Sequence, residues 1–265
     1  MQGNGTSLAR SWALQRRVLF ALLMREVLTR YGRHNIGFFW LFVEPMTFTI
    51  GVTALWTLSG LHRSSSLPIA VFALTGYSAV LLWRNMPARA VGAVQPNLAL
   101  MYHRNVRIID IFMSRLILEA MGATMSFFIL SLVFIYLFEW IQPPEDILKV
   151  VGGWLCLAWF GMALAIFIGA LSEKSELVDK LWHPLSYLIF PLSGAAFLLE
   201  AVPPGARSYI WWIPMVHCSE FIRDGYFGSK FHAIYDMRYV LICNLILTFL
   251  ALLMVRDVSA KVTPR

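Results

Sequence analysis

Val150-Val-Gly-Gly-Trp-Leu-Cys-Leu-Ala-Trp-Phe-Gly-Met-Ala-Leu-Ala-Ile-Phe-Ile-Gly-Ala-Leu171 is a run of 22 residues without one charged side chain. As a helix rising about 1.5 Å per residue it reaches roughly 33 Å, enough to cross a hydrocarbon core of about 30 Å. Five more stretches read as spans, giving six: residues 36–61, 67–83, 116–138, 184–199 and 239–255 stand beside 150–171. The first is interrupted by Glu44-Pro45, the third has Glu119 near its start, and the last ends at Arg256. The stretch 184–199 is the shortest, sixteen residues followed by Glu200.

The composition agrees. Of 265 residues, 58% are hydrophobic and 14% charged, with a mean hydropathy of +0.66, whereas soluble domains carry about 45–50% apolar and about 25% charged residues. This excludes a soluble fold, disorder, collagen and a coiled coil. Cys156, Cys218 and Cys243 lack metal-ligand spacing and read as apolar fillers. No metal site is expected: His217, Cys218 and Glu220 on one short helix are too few ligands. The sequence contains no G-x-x-x-x-G-K-[ST], H-E-x-x-H or G-x-S-x-G, no internal repeat and no low-complexity linker.

Lys and Arg number 22 against 15 Asp and Glu, a net charge of +7. Placing the N-terminus inside puts sixteen of the 22 basic residues on one side, which makes both termini cytoplasmic and accounts for the charge without nucleic acid. Residues 18–24 are too short to span and carry no cleavage pattern. With Arg10, Arg16 and Arg17 before that run, residues 7–31 read as a helix lying at the interface, within an N-terminal segment 1–35. The transmembrane domain follows over 36–256, with a tail at 257–265.

Four features stand out from the spans. In the stretch 95–107, Pro96 opens a helix that places Leu98, Met101 and Tyr102 on one face. Two readings stand, docking into a partner's groove or an interfacial elbow before the third span, where Asp110 suits the helix start. In the extracytoplasmic stretch 200–238, Pro204-Gly205 breaks the chain. Pro214 opens a helix of about eleven residues that Gly225 closes, with Glu220 and Arg223 paired on one face. It is a re-entrant part of an exit, or a lid held by its ion pair. Glu44, followed by Pro45, needs protein, water or a counter-charge. Thr49, Thr53 and Thr57 form a stripe that lines a wet path or bonds its own helix. Gly161, Ala165 and Gly169 read as close helix packing.

The layout, with Trp40-x-x-x-Glu44-Pro45, Asn97…Tyr102…Val106…Asp110…Arg115 and Pro214-x-Val216-His217-x-x-Glu220-x-x-Arg223, resembles the membrane permease of a type-2 ABC exporter of the capsule-polysaccharide and O-antigen branch, KpsM- and Wzm-like. The resemblance covers essentially the whole chain. One departure is Ile213 before Pro214, where many relatives carry Asn, which puts the cap of the re-entrant helix in doubt. It implies an all-α polytopic fold of six transmembrane helices with an interfacial N-terminal helix, a cytoplasmic coupling helix and re-entrant extracytoplasmic helices. It implies a homodimer in the bacterial inner membrane, driven by two copies of a separate ATPase that holds ATP and Mg, this chain being a transport subunit and not an enzyme. The coupling helix maps onto residues 96–107, giving Pro96, Asn97, Leu98, Met101, Tyr102, Arg104 and Arg107 as the ATPase contact. The conduit maps onto the first and fifth spans, with Phe38, Phe42, Glu44, Thr49, Thr53, Tyr187, Phe190 and Phe197 as candidate lining. His217, Glu220 and Arg223 mark the re-entrant helix. The implied cargo is a lipid-linked, acidic capsular polysaccharide whose anionic end Arg10, Arg16 and Arg17 attract. A periplasmic adaptor and an outer-membrane channel complete the implied assembly. The rival readings are a permease for another substrate (O-antigen, teichoic acid, haem or a drug), an ion-coupled secondary transporter and a multi-pass membrane enzyme.

Overall fold

The computed structural model describes residues 8–32, 35–60, 68–103, 106–230 and 232–262. Regular structure among them is entirely helical. The interfacial segment forms α1 (Leu8–Tyr31), and the first span forms α2 (Asn35–Ser59) with Pro45 inside it. Next come α3 (Ile69–Ala90), a tight turn at Gln95–Asn97, and α4 (Leu98–His103). The helix α5 (Ile108–Leu132) ends in a wide turn at Val133–Leu137, and α6 (Ile147–Ser172) follows. The C-terminal third contains α7 (Glu176–Ile189), α8 (Pro204–Ile210), α9 (Pro214–Phe227) and α10 (Met237–Val262).

Five of these helices are long and apolar enough to cross a membrane: Phe39–Ser59, Ile69–Ala90, Ile108–Leu137, Ile147–Ser172 and Met237–Lys261. The expected span at 184–199 is not a continuous helix. Its apolar residues are divided between the end of α7 and a turn, because Pro191 has no N–H to continue the ladder. Gly194, at φ +79°, then reverses the chain beside Val216.

Three boundaries differ from the sequence expectation. The second span does not stop at Trp83 but carries Arg84, Asn85 and Arg89 within α3. The helix α5 begins eight residues before position 116 because Asp110 Oδ2 accepts the Arg107 N–H at 2.9 Å, satisfying a helix-start donor. The first residues of the expected tail, 257–262, are helical and continue α10.

The core lies where α3 is sandwiched between α5 and α6, and α3 is the most deeply buried of the five long helices. Close approach to α6 rests on its small residues. A Cβ at Gly161 would lie 3.0 Å from Met86 Sδ, and one at Gly169 would lie 2.8 Å from Ala90 Cβ, so the small-residue series is a packing seam. Pro45 leaves the Leu41 carbonyl without its i+4 donor, and that carbonyl faces α5 at Gly122, where a Cβ would lie 2.6 Å away.

Candidate functional site

The end of the bundle that carries α1 contains a charged cleft between α2, α3, α5 and α7. Glu44 comes from α2, Arg84, Asn85 and Arg89 from α3, Glu119 from α5, and Tyr187 from α7. It has two connected lobes of about 180 and 250 Å³ that share Glu44, Arg84, Asn85 and Arg89. Glu44 is exposed into it, nine residues and so about 14 Å into α2. Charged groups at such depth are expensive unless they face water, protein or a cargo. Glu119 is held by Arg30 of α1 and by Arg89, whose Nε lies 3.1 Å from Glu119 Oε1. Arg84 instead lies over the Tyr187 ring, 4.7 Å from its centroid. Tyr77, on the cleft wall, meets Phe190 edge-on at 6.1 Å.

Of the expected conduit residues, the structure brings Glu44 and Tyr187 into this cleft and Phe190 to its border. Thr49 and Thr53 are buried, and both hydroxyls donate to the carbonyl four residues back, 3.0 Å to Pro45 and 2.8 Å to Thr49. Thr49 also meets Ser78 of α3 at 3.3 Å. Thr49 and Thr53 therefore belong to a helix seam, whereas Thr57 is exposed, its hydroxyl donating to the Thr53 carbonyl at 2.7 Å. Phe42 packs edge-on against Phe39 at 5.6 Å and does not line the cleft. Phe197 is half-buried in the turn after α7, and its carbonyl accepts from Arg223. The side chain of Phe38 lies outside the described residues.

Sequence reasoning misses Arg84, Asn85 and Arg89 because it places them in a polar loop beyond Trp83, the two arginines counting as loop charges. A signal was present: Tyr77, Leu81, Arg84, Asn85 and Ala88 fall on one helical face if the helix continues.

Beside the cleft, α1 is bound to both ends of the elbow. Arg25 Nη1 donates to Asn97 Oδ1 at 2.6 Å, and Asn97 Nδ2 donates to the Ala93 carbonyl at 2.8 Å. Gln15 donates to Asp110, the residue that receives the Arg107 N–H. Arg115 Nε lies 3.4 Å from Glu26 Oε1. Asn97 is therefore buried toward α1 rather than presented outward. Leu98 and Met101 are half-buried against the core, while Gln95, Pro96, Ala99 and Arg107 are exposed. Arg104 and the Tyr102 side chain lie outside the described residues. Arg10, Arg16 and Arg17 are exposed along α1.

At the opposite end α9 carries His217, Glu220 and Arg223, all buried. It runs three residues past the expected end, closing at Gly228 (φ +50°). Gly225 instead packs on the start of α6, where a Cβ would lie 2.7 Å from the Asp146 carbonyl. Pro204, expected to break the chain, opens α8. Arg223 donates from Nη1 to the Phe197 carbonyl at 2.8 Å and from Nη2 to the Ala195 carbonyl at 2.9 Å, over the Phe72 ring at 4.2 Å. Glu220 lies 3.7 Å from Arg223 and accepts the Leu199 and Ile234 N–H groups at 3.2 and 3.4 Å. His217 donates from Nε2 to the Trp211 carbonyl at 2.8 Å and accepts the Asp236 N–H on Nδ1 at 3.0 Å. That pair of bonds belongs to a neutral imidazole, and burial pushes its pKa below the ordinary value. These side chains brace the turns at 193–199 and 234–236 from inside.

Five helices long and apolar enough to cross a membrane, with a charged cleft cut into one end, are those of a polytopic membrane protein. The ABC-2 type transporter family matches residues 17–227, and the chain belongs to it. It is 43% identical to the capsule polysaccharide export inner-membrane protein CtrC of Neisseria meningitidis serogroup B, over 98% of each chain. It is 39% identical to the capsule polysaccharide export inner-membrane protein BexB of Haemophilus influenzae, over 99% of each. Identity to the polysialic acid transport protein KpsM of Escherichia coli is 24%, over 94% of this chain and 96% of that one.

Proposed function

We propose that this chain is the permease subunit of an ATP-driven exporter that moves lipid-linked capsular polysaccharide across the bacterial inner membrane. The observation that carries this reading is the full-length similarity to capsule polysaccharide export inner-membrane proteins of two genera. ATP and Mg are held by a separate ATPase, two copies of which serve a homodimer of this chain. The basic end of the bundle faces the cytoplasm, following the excess of Lys and Arg there. The fifth crossing is made by α7 and the turn at Phe190–Leu192 together. Beyond Lys180 the nine remaining residues of α7 and the three-residue turn reach about 20 Å, so this crossing is shorter than the hydrocarbon thickness of about 30 Å. In this arrangement α8 and α9 form the re-entrant extracytoplasmic cap.

The elbow docks on the ATPase through Gln95, Pro96, Ala99 and Arg107, the surface left exposed once Asn97 is held inward by Arg25. Force on the elbow passes to α1 through Arg25–Asn97 and Gln15–Asp110, and so to Arg10, Arg16 and Arg17 at the entrance. A periplasmic adaptor and an outer-membrane channel receive the polymer. Deleting the gene should abolish surface capsule and leave lipid-linked polymer inside. Re-expression should restore it, and a hydrolysis-dead partner ATPase should abolish it again. Export that survives loss of the ATPase but stops with ionophores would replace this reading with ion-coupled transport.

A further inference from the structure

The cleft contains a cation without an ion-pair partner among the described residues. Arg30, Arg89, Arg115, Lys149 and Lys174 each have a carboxylate within 4.0 Å. Arg84 has none among the described residues, although it sits six residues, about 9 Å, from the Ala90 end of a membrane-length helix. Its Cζ lies over the Tyr187 ring, 4.7 Å from the centroid, and its N–H groups meet no hydrogen-bond acceptor among the described residues. Asn85 and His183 add hydrogen-bonding groups to the same lobe. Glu44 lines both lobes with the opposite charge, without reaching Arg84 as an ion pair.

A half-buried guanidinium with a free donor edge is matched by an oxyanion, which it grips with two parallel hydrogen bonds. We infer that Arg84, positioned by Tyr187, forms an anion-binding subsite. It takes the carboxylate or phosphodiester of a lipid-linked acidic saccharide entering between α2 and α7. Glu44 weakens the hold by like-charge repulsion, so the group is recognised without being trapped. The choice of saccharide rests on the exporter reading above; the oxyanion site itself does not.

The test uses the purified full-length chain in phosphatidylcholine nanodiscs. The probes are tetragalacturonate for a sugar carboxylate, short-chain phosphatidylglycerol for a phosphodiester, and neutral maltotetraose. Binding is read by calorimetry. At least one charged probe should bind more tightly than maltotetraose, and R84Q should weaken that probe at least tenfold, as expected for loss of a charge-assisted pair. Y187L should weaken it about threefold by removing the platform. E44Q should tighten it, a direction that misfolding cannot produce. Loss confined to tetragalacturonate identifies the sugar carboxylate, and loss confined to phosphatidylglycerol identifies the lipid phosphodiester. Wild-type binding no tighter than to maltotetraose, or unchanged binding in R84Q and E44Q, overturns the subsite. Arg84-dependent binding in a cell whose capsule export ignores this gene would keep the subsite and remove the exporter reading.

Discussion

Replacing Gly122 by alanine probes the joint between α2 and α5, and its effect can be worked from the coordinates. Pro45 lacks an N–H, so the Leu41 carbonyl is released from the α2 ladder and points at Gly122. An added Cβ would lie 2.6 Å from that oxygen and 2.9 Å from Leu41 Cδ1. The first separation is about 0.7 Å short of an ordinary C–H···O contact. Because backbone is one of the two neighbours, the side chain cannot rotate away and the helices must part. Overpacking of this kind costs about 1–3 kcal/mol, a melting shift of roughly 3–9 °C for a chain of this size. The internal control is Gly51→Ala in α2, where an added Cβ meets nothing within 4 Å. That change should be neutral or stabilise by about 0.5–1 kcal/mol. The joint also sets the cleft, since Glu119 and Glu44 each stand three residues from it. G122A should therefore lower capsule export more than its stability loss explains. Thermal melts in detergent and surface capsule at matched expression measure both. Equal melting of G122A and G51A would refute the packing argument.

Arg223→Met should destabilise by about 3–5 kcal/mol in the same melts, since Glu220 would be left buried without its counter-charge; the double variant E220Q/R223M should recover part of the loss. His217 is neutral in the fold, while its unfolded value lies near 6.5. Unfolding then takes up a proton, so stability is full above that pH and falls as pH drops below it; melts at pH 7.5 and 5.5 should differ, and by less in H217Q. Arg25→Ala removes the α1 contact with Asn97 and should leave ATPase co-purification intact while lowering export per ATP hydrolysed. Reversing the charge of Arg107, together with Arg104, should lower recovery of the ATPase with this chain, and normal recovery would reduce the elbow to a connector. Replacing Arg10, Arg16 and Arg17 by Gln should weaken export without preventing dimer assembly, read as surface capsule and cross-linked dimer.

Five of the six expected spans, at 36–61, 67–83, 116–138, 150–171 and 239–255, were legible because lipid demands long runs with few charges, a constraint visible without tertiary context. The span expected at 184–199 was misplaced because its apolar residues serve two local structures. Pro191 and Gly194 mark that division only once the Arg223 bonds to the Ala195 and Phe197 carbonyls are known. Arg84 was hidden by the opposite error, in which charge was taken as the end of a helix that runs six residues further. Threonines at i, i+4 and i+8 look the same in sequence whether they line water or a seam, and only the burial of Thr49 and Thr53 separates the two. The inward turn of Asn97 depends on Arg25, 72 residues away, and local periodicity carries no trace of such a contact.

The central claim is that this chain, with a separate ATPase, moves a lipid-linked polysaccharide across a bilayer. It is tested most directly in proteoliposomes containing the purified chain, its ATPase and radiolabelled lipid-linked capsular polymer, with an added glycosidase reporting which leaflet holds the label. The account predicts that label moves to the far side only with ATP, and not when the chain or ATP hydrolysis is withheld. Movement without ATP, or equal movement in liposomes lacking this chain, would contradict it.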